Sequence, residues 1–418
     1  MYAPAMDTGH RPIVFSAPAL LLGLLVFAQA LWAAPRQVDD YRWENVDRIV
    51  AIGDLHGDYD HYLAVLQAAG IVDRRGRWIA GDTHLVQVGD IPDRGPDTRR
   101  IIAHMAGLAR QASKRGGRVH NLMGNHEAMN VYGDLRYVSE GEFKAFAGKG
   151  SVALRDRYFK ASMEALAAKE PERFAALPAD YREQWDREHP LGWVEHRLAW
   201  DPRWDPEGEL FRWTMQTQVA IQLDDLVFVH AGISSAYCGN SLESMTTMAR
   251  AALRSGDPDA HGILEDEAGP LWYRGLAGVA PAARTDMVDA TLQHHGARRI
   301  VIGHTPTEGV VWPRLDGRVI MIDTGISAAY GGHVGWLEAT PEGLFAGYRG
   351  GRLPLPTEDG QRLDYLQAVI DLHPGNAALV RRREALIAGT LDAAPVVPGE
   401  VETGQEIAVP AVTCDTSR

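Results

Sequence analysis

Five short strings in this chain set carboxylates, imidazoles or a carboxamide directly after apolar runs, with glycine in or beside each. Gly53-Asp54-Leu55-His56-Gly57 places a carboxylate and an imidazole two residues apart. Gly89-Asp90-Ile91-Pro92-Asp93-Arg94-Gly95 adds two carboxylates and a guanidinium. Gly124-Asn125-His126-Glu127 adds an amide oxygen and a second imidazole, and His230 and His304 each close a further apolar run. In a turn, the Asp-x-His spacing aims both side chains at one point, and Gly53 and Gly57 permit the tight backbone this requires. For one such Asp alone, capping the next helix is the ordinary role. One such His alone is more often a satisfied core or surface residue. Five together are different: oxygen and imidazole donors without thiolates suit divalent manganese, zinc or iron.

What must position these groups is a set of strands. The runs 49–52, 85–88, 119–123, 226–229 and 300–302 are rich in Val and Ile, of strand length, and bounded by breakers. Helical patterns at 62–69 and 99–115 separate the first three. Strand, polar turn and helix in repetition predict an α/β domain that binds ligands at the carboxyl ends of its strands. Beyond residue 318 the runs 319–322, 334–337 and 344–348 read as an antiparallel meander. The expected fold is therefore mixed α/β (α+β), two mixed sheets packed as a sandwich and flanked by helices.

Residues 139–216 interrupt this grammar. They are charged, helix-prone and rich in tryptophan (Trp185, Trp193, Trp200, Trp204, Trp213), and predict an inserted helical cap. The Trp cluster reads first as cap core and second as a wall of a substrate pocket. The catalytic domain is expected over 44–352, a helical extension over 353–390 (helices at 361–372 and 376–388), and a disordered tail over 391–418.

Composition narrows the partners. The 418 residues carry a formal charge of −13 with no basic run, which argues against nucleic acid. Residues 1–34 hold His10 and Arg11 ahead of an uncharged, apolar stretch ending in small residues. This reads as a signal peptide, with an uncleaved membrane anchor as the alternative that Pro18 and Gly23 weaken. Either way the catalytic part is expected outside the cytoplasm, periplasmic or secreted. Two cysteines, Cys238 and Cys414, lie far apart with the second in the tail, and are expected as unpaired thiols.

In this order, the five strings resemble those of the calcineurin-like metallophosphoesterases, and within them the phosphoprotein phosphatase family. The leader-like N-terminus, Gly124-Asn125-His126-Glu127 and Asp323-Thr324-Gly325-Ile326-Ser327-Ala328-Ala329-Tyr330-Gly331-Gly332 resemble the bacterial Shewanella-like branch. The resemblance implies two divalent metal ions (manganese, iron or zinc), one held by Asp54, His56 and Asp90. The other would be held by Asp90, Asn125, His230 and His304, with Asp90 bridging. A shared carboxylate and hydroxide offset the repulsion between such cations, and the hydroxide is the implied in-line nucleophile. His126 matches the general acid, and Asp93 the carboxylate that orients it. Arg94 and Asn125 would contact the phosphoryl group. Arg274 in Pro270-Leu271-Trp272-Tyr273-Arg274-Gly275 is the expected second arginine, against the alternative of a surface loop arginine.

The implied activity is hydrolysis of phosphomonoesters, and the branch resemblance points to phosphotyrosine in peptides or proteins. About a hundred residues separate Glu127 from His230, so the cap is expected to overhang the metals in place of an open groove. Tyr330 is expected either near the site or in packing. Two alternatives stand beside this: a dinucleoside polyphosphate hydrolase on the same centre, which export disfavours, and a non-catalytic phosphate-binding protein. The latter should have lost a ligand or the acid, and none is missing.

Overall fold

The computed structural model describes residues 36–37, 39–255, 262–278, 285–391 and 414. The expected leader and the tail beyond Leu391, Cys414 apart, lie outside them. Among the described residues, thirteen strands form two sheets. They are β1 (Arg36–Gln37), β2 (Arg42–Glu44), β3 (Ile49–Ile52), β4 (His84–Gln87), β5 (Arg118–Asn121), β6 (Ala220–Leu223) and β7 (Leu226–Val229). The rest are β8 (Arg299–Ile302), β9 (Trp312–Arg314), β10 (Val319–Met321), β11 (Gly335–Thr340), β12 (Gly343–Tyr348) and β13 (Gly351–Pro354).

One sheet runs β13-β12-β11-β3-β4-β5 and the other β1-β2-β6-β7-β8-β10-β9. In the first, β3, β4 and β5 are parallel, with Ile52 opposite Gln87 and Gln87 opposite Asn121. In the second, β7, β8 and β10 are parallel, with Ile302 opposite both Val229 and Met321. Each parallel trio thus ends level, and the chemically active strings follow those ends. Strands covered on both faces need side chains that are apolar throughout. Ile49, Val50, Ala51 and Ile52 are all buried, as are Leu226 to Val229. One continuous core joins Ile52 and Val86 to Val229, Val301 and Leu337, packing the two sheets as a sandwich.

The run 319–322 does not join a meander. Its strand β10 lies inside the seven-stranded sheet between β8 and β9, while β11, β12 and β13 form the antiparallel part of the other. The physical reason is burial: Val319, Ile320 and Met321 are all buried, which suits an interior position with two neighbours.

Residues 139–216 fold as helices Glu140–Phe146, Ser151–Lys169, Pro171–Ala175, Tyr181–Glu188, Trp193–Trp200 and Glu209–Thr214. Their aromatic rings meet one another: Tyr158 lies 4.7 Å from Trp204, 5.6 Å from Trp193 and 6.0 Å from Trp185 between ring centroids. Trp185, Trp193 and Trp204 are therefore cap core, while Trp200 joins the core shared with the sheets and Trp213 packs against it. The helical extension forms as Arg362–Leu372 and Ala377–Ile387, close to the expected limits. The cysteines correct the sequence reading: Cys238 and Cys414 are joined in a disulfide across 176 residues. Buried Cys238 is reached by a return of the chain that linear distance does not reveal.

Candidate metal centre

The centre begins with two interlocked turns. The turn after β3 hands its Leu55 and His56 N–H groups to Asp90 O at 2.9 and 3.1 Å, and its Gly57 N–H to Ile91 O at 2.7 Å. In return Gly95 N–H donates to His56 O at 3.0 Å, and Asp97 N–H to Gly57 O at 2.9 Å. A side chain on Gly57, at φ 63°, would meet Gly95 O at 2.5 Å. His56, Asp90, Asp93, Arg94 and His304 all adopt left-handed backbone, at φ of 44°, 58°, 73°, 65° and 63°. Such conformations cost non-glycine residues about 1–3 kcal/mol each and persist where the surroundings over-determine them. Here the interlocking bonds supply that determination.

A third turn is pinned to the second by Glu127. Its buried carboxylate accepts N–H groups from Asp90 at 2.9 Å, Ile91 at 2.8 Å and Gly124 at 2.8 Å. Burial, and then the nearby Asp90 charge, raise the Glu127 pKa to about 7.

The side chains these turns present converge on Asp90. His230 Nε2 lies 3.3 Å from Asp90 Oδ2, 3.0 Å from Asn125 Oδ1 and 3.2 Å from His304 Nδ1. The opposite nitrogen, His230 Nδ1, sits 2.9 Å from Val88 O; with a cation bound, the ring's one proton would sit there and Nε2 would be the ligand atom. His56 repeats the device: Nδ1 faces Pro92 O at 3.2 Å, and Nε2 lies 4.0 Å from both Asp54 and Asp90. Burial, then the neighbouring His126 charge, lower the His56 pKa to about 3, so it is a neutral donor. Buried His304 is also lowered, and its Nε2 has no hydrogen-bond partner. Burial alone would raise Asp90, yet His230 and His126 hold it well below the usual carboxylate range. Lone pairs facing one another in a buried space are the arrangement a cation resolves.

Among the described residues, two overlapping groups have atoms placed for such binding: His56, Asp90 and His126, and Asp90, His230 and His304. Asp90 belongs to both, the place expected of a bridge. His126 competes with Asp54 in the first, and chemistry favours Asp54. His126 Nδ1 is bound to Asp93 at 2.5 Å. Although burial opposes its charge, Asp90 and Asp93 together raise its pKa to about 9. A protonated imidazole is an acid rather than a ligand. Asp54 is oriented by the His304 N–H, at 3.1 Å from Oδ2. Burial, then Asp323 and Asp90, raise its pKa, the response of a carboxylate crowded by like charge.

Arg94, Arg274, Asn125 and His126 line the same cavity as His56, Asp90 and His304. Arg94 Nε is buried without a partner. Arg274 Nη1 donates to Thr305 Oγ1 at 3.2 Å, so it is no stray surface arginine. Tyr137, Trp272 and Tyr330 wall the cavity, and no residue of the expected cap, 139–216, lines it. The cap expected to overhang the centre thus contributes no side chain to this cavity. The cap is bonded to the start of helix Thr98–Ser113, through Thr98 Oγ1 to Glu142 at 2.7 Å and Arg99 to Glu209 at 2.8 Å.

The family model of the calcineurin-like phosphoesterases matches residues 47–308. The chain belongs to this family. An uncharacterized protein of Schizosaccharomyces pombe is 33% identical over 297 residues, 68% of this chain and 74% of its own length. Shewanella-like protein phosphatase 2 of Arabidopsis thaliana is 28% identical over 68% of this chain and 73% of its own. Among solved structures, the cold-active protein-tyrosine phosphatase of a psychrophilic Shewanella species matches with TM-score 0.56 and 28% identity. It covers 76% of this chain and 82% of that one. The calcineurin-like phosphoesterases use a dinuclear metal centre, and this member is a metal-dependent phosphatase.

Within this phosphoesterase, several site residues escaped the sequence reading. Buried Asp323 lines the cavity, with burial raising its pKa to about 6. Its signal was the Asp323-Thr324-Gly325 turn after an apolar run, the same grammar as the other five strings. Asn130 Nδ2 donates to Asp93 Oδ1 at 3.0 Å, one helical turn beyond His126, a spacing that could have marked it. Tyr137 and Trp272 carried no such mark.

Proposed function

We propose that the chain hydrolyses phosphotyrosine in peptides or proteins, in an exported location, with two divalent ions of manganese, iron or zinc. Asp54, His56 and Asp90 would hold one ion, and Asp90, Asn125, His230 and His304 the other. When bound, these ions acidify a water and neutralise phosphoryl charge. The remaining steps fall to the chain's own residues. Arg94 and Arg274 orient the phosphoryl oxygens, as planar donors do well. His126 delivers its Nε2 proton to the leaving oxygen, while Asp93 fixes Nδ1 and keeps the ring charged.

One observation carries the substrate reading. Arg94 is held between aromatic walls, its Cζ 4.1 Å from the Tyr137 ring centroid and 5.7 Å from that of Tyr330. An aryl leaving group entering above the phosphoryl site would meet these rings, whereas an alkyl phosphate would leave them bare. The name of the Shewanella structure, a protein-tyrosine phosphatase, supports the same choice. The Cys238–Cys414 disulfide and the apolar N-terminus support export.

Turnover of a phosphotyrosine peptide, a phosphoserine peptide and a dinucleoside tetraphosphate should be compared under one set of conditions. The phosphotyrosine peptide should have the highest kcat/KM. Turnover of the dinucleotide alone would replace this reading with the polyphosphate one.

A further inference from the structure

Asp58 caps helix Tyr59–Ala68, and that role accounts for only one of its carboxylate oxygens. Oδ1 accepts the His61 N–H at 3.1 Å, the ordinary bond of a helix N-cap. Oδ2 faces a different pair of donors, the Ala328 N–H at 2.8 Å and His61 Nδ1 at 2.9 Å. The first of these lies 270 residues further along the chain. The other edge of the His61 ring meets the same distant segment. A side chain on Gly332, at φ 70°, would come within 2.6 Å of His61 Nε2.

The 327–332 segment is bonded to itself and so moves as one piece. Ser327 O accepts the N–H groups of Tyr330 at 2.9 Å and Gly332 at 3.0 Å, and Gly331 N–H closes on Ala328 O at 3.2 Å. Fixing Ala328 therefore fixes Tyr330. That ring stands 5.1 Å from the His56 ring and 5.7 Å from Arg94 Cζ, in the wall of the metal-centre cavity. Ala328, Ala329 and Gly331 are exposed, so burial of side chains does little to hold this stretch, and a bond to a fixed partner matters more. Asp58 is such a partner: the cap already sets its orientation, and its charge strengthens both bonds to Oδ2. We propose that Asp58 and His61 are positioning residues, which latch the 327–332 segment to helix Tyr59–Ala68 and so hold Tyr330 where it selects the aryl ester. The selection rests on the phosphotyrosine reading; the latch does not.

Asp58→Ser keeps an oxygen able to cap the helix but too short to reach Ala328, and His61→Leu removes the second donor to Oδ2. Deuterium exchange of the metal-loaded protein, read by mass spectrometry, should run about tenfold faster over 327–332 in either variant. Both variants should keep the wild-type metal content. On a phosphotyrosine peptide, KM should rise about two- to tenfold with kcat within about twofold, the range set by one aromatic contact. KM for a phosphoserine peptide, which leaves the ring uncovered, should move far less. Tyr330→Ala should raise the phosphotyrosine KM by a similar factor, and adding Asp58→Ser to it should raise it no further. Multiplying effects in the double variant, or loss of metal from Asp58→Ser, would mean that Asp58 acts by another route and overturns the proposal. Unchanged exchange in both variants overturns the latch whatever the substrate. Faster exchange in a protein that does not favour phosphotyrosine overturns the selection and leaves the latch standing.

Discussion

At the scale of single residues, the two oxygens of Asp90 have different work. Oδ1 accepts the His126 N–H at 3.0 Å, while Oδ2 faces His230 at 3.3 Å and His56 at 4.0 Å. Asp90→Asn replaces one of these oxygens by a donor, which no cation tolerates. Elemental analysis should find the variant's metal content fallen from two toward one or none per chain, with turnover reduced at least about a hundredfold. Two retained metals would remove Asp90 from the bridge. The acid assigned to His126 makes a sharper demand. Its loss in His126→Asn should slow substrates with poor leaving groups by roughly 10²–10⁴, and an activated aryl phosphate far less. Equal slowing of both would mean that the residue only shapes the site. The metal-binding candidates were readable because each sits inside its own string after a strand. Glu127 was readable as a motif member but not in its role, since that role joins N–H groups from two separate turns.

Elements explain what the strings leave out. Strand ends were legible because apolar runs followed by glycine mark them, but which sheet β10 joins depends on neighbours more than a turn away. The cap was legible as helical, yet its contact with the start of helix Thr98–Ser113 was not, because it rests on one buried pair. Glu142 Oε2 accepts from Thr98, and its Oε1 has no hydrogen-bond partner. Burial, then the Asp93 charge, raise the Glu142 pKa from 4.5 to about 8. The folded chain therefore keeps a proton that the unfolded chain releases. The stability this group provides is whole below pH about 4.5 and is lost as pH rises through about 8. Nearby His196 is lowered by burial to about 3, so its opposing effect is complete by pH about 6.5. Between pH 6.5 and 8, Glu142 should thus cost the wild type up to about 2 kcal/mol. Glu142→Gln should remove that slope in denaturant titrations at several pH values. Parallel curves for the two proteins across this window would show Glu142 ionised in the fold.

At the largest scale, the described residues beyond 35 form a sandwich, and Cys414 is tied back to its middle. Cys238 is fully buried, just before helix Leu242–Ser255, and its partner stands 176 residues on. Neither cysteine announces the pairing, because nothing in the linear sequence says that the chain returns after helix Ala377–Ile387. Closing so long a loop restricts the unfolded ensemble, and the loop-entropy account assigns such a bond up to about 5 kcal/mol, with 2–4 kcal/mol commonly realised. The proposed metal ligands come from residues 54–304, all outside the segment that Cys414 anchors, so stability and turnover should separate. Cys414→Ser, and equally the reduced wild type, should unfold at lower denaturant with about 2–4 kcal/mol lost. Both should keep the kcat of the oxidised protein at 25 °C. Adding reductant to Cys414→Ser should change nothing further, which separates loss of this bond from any effect of reductant on the metals. If reduction leaves the wild-type midpoint in place, the bond does not hold the fold. If it abolishes turnover while the protein stays folded, the C-terminal segment acts on the centre itself.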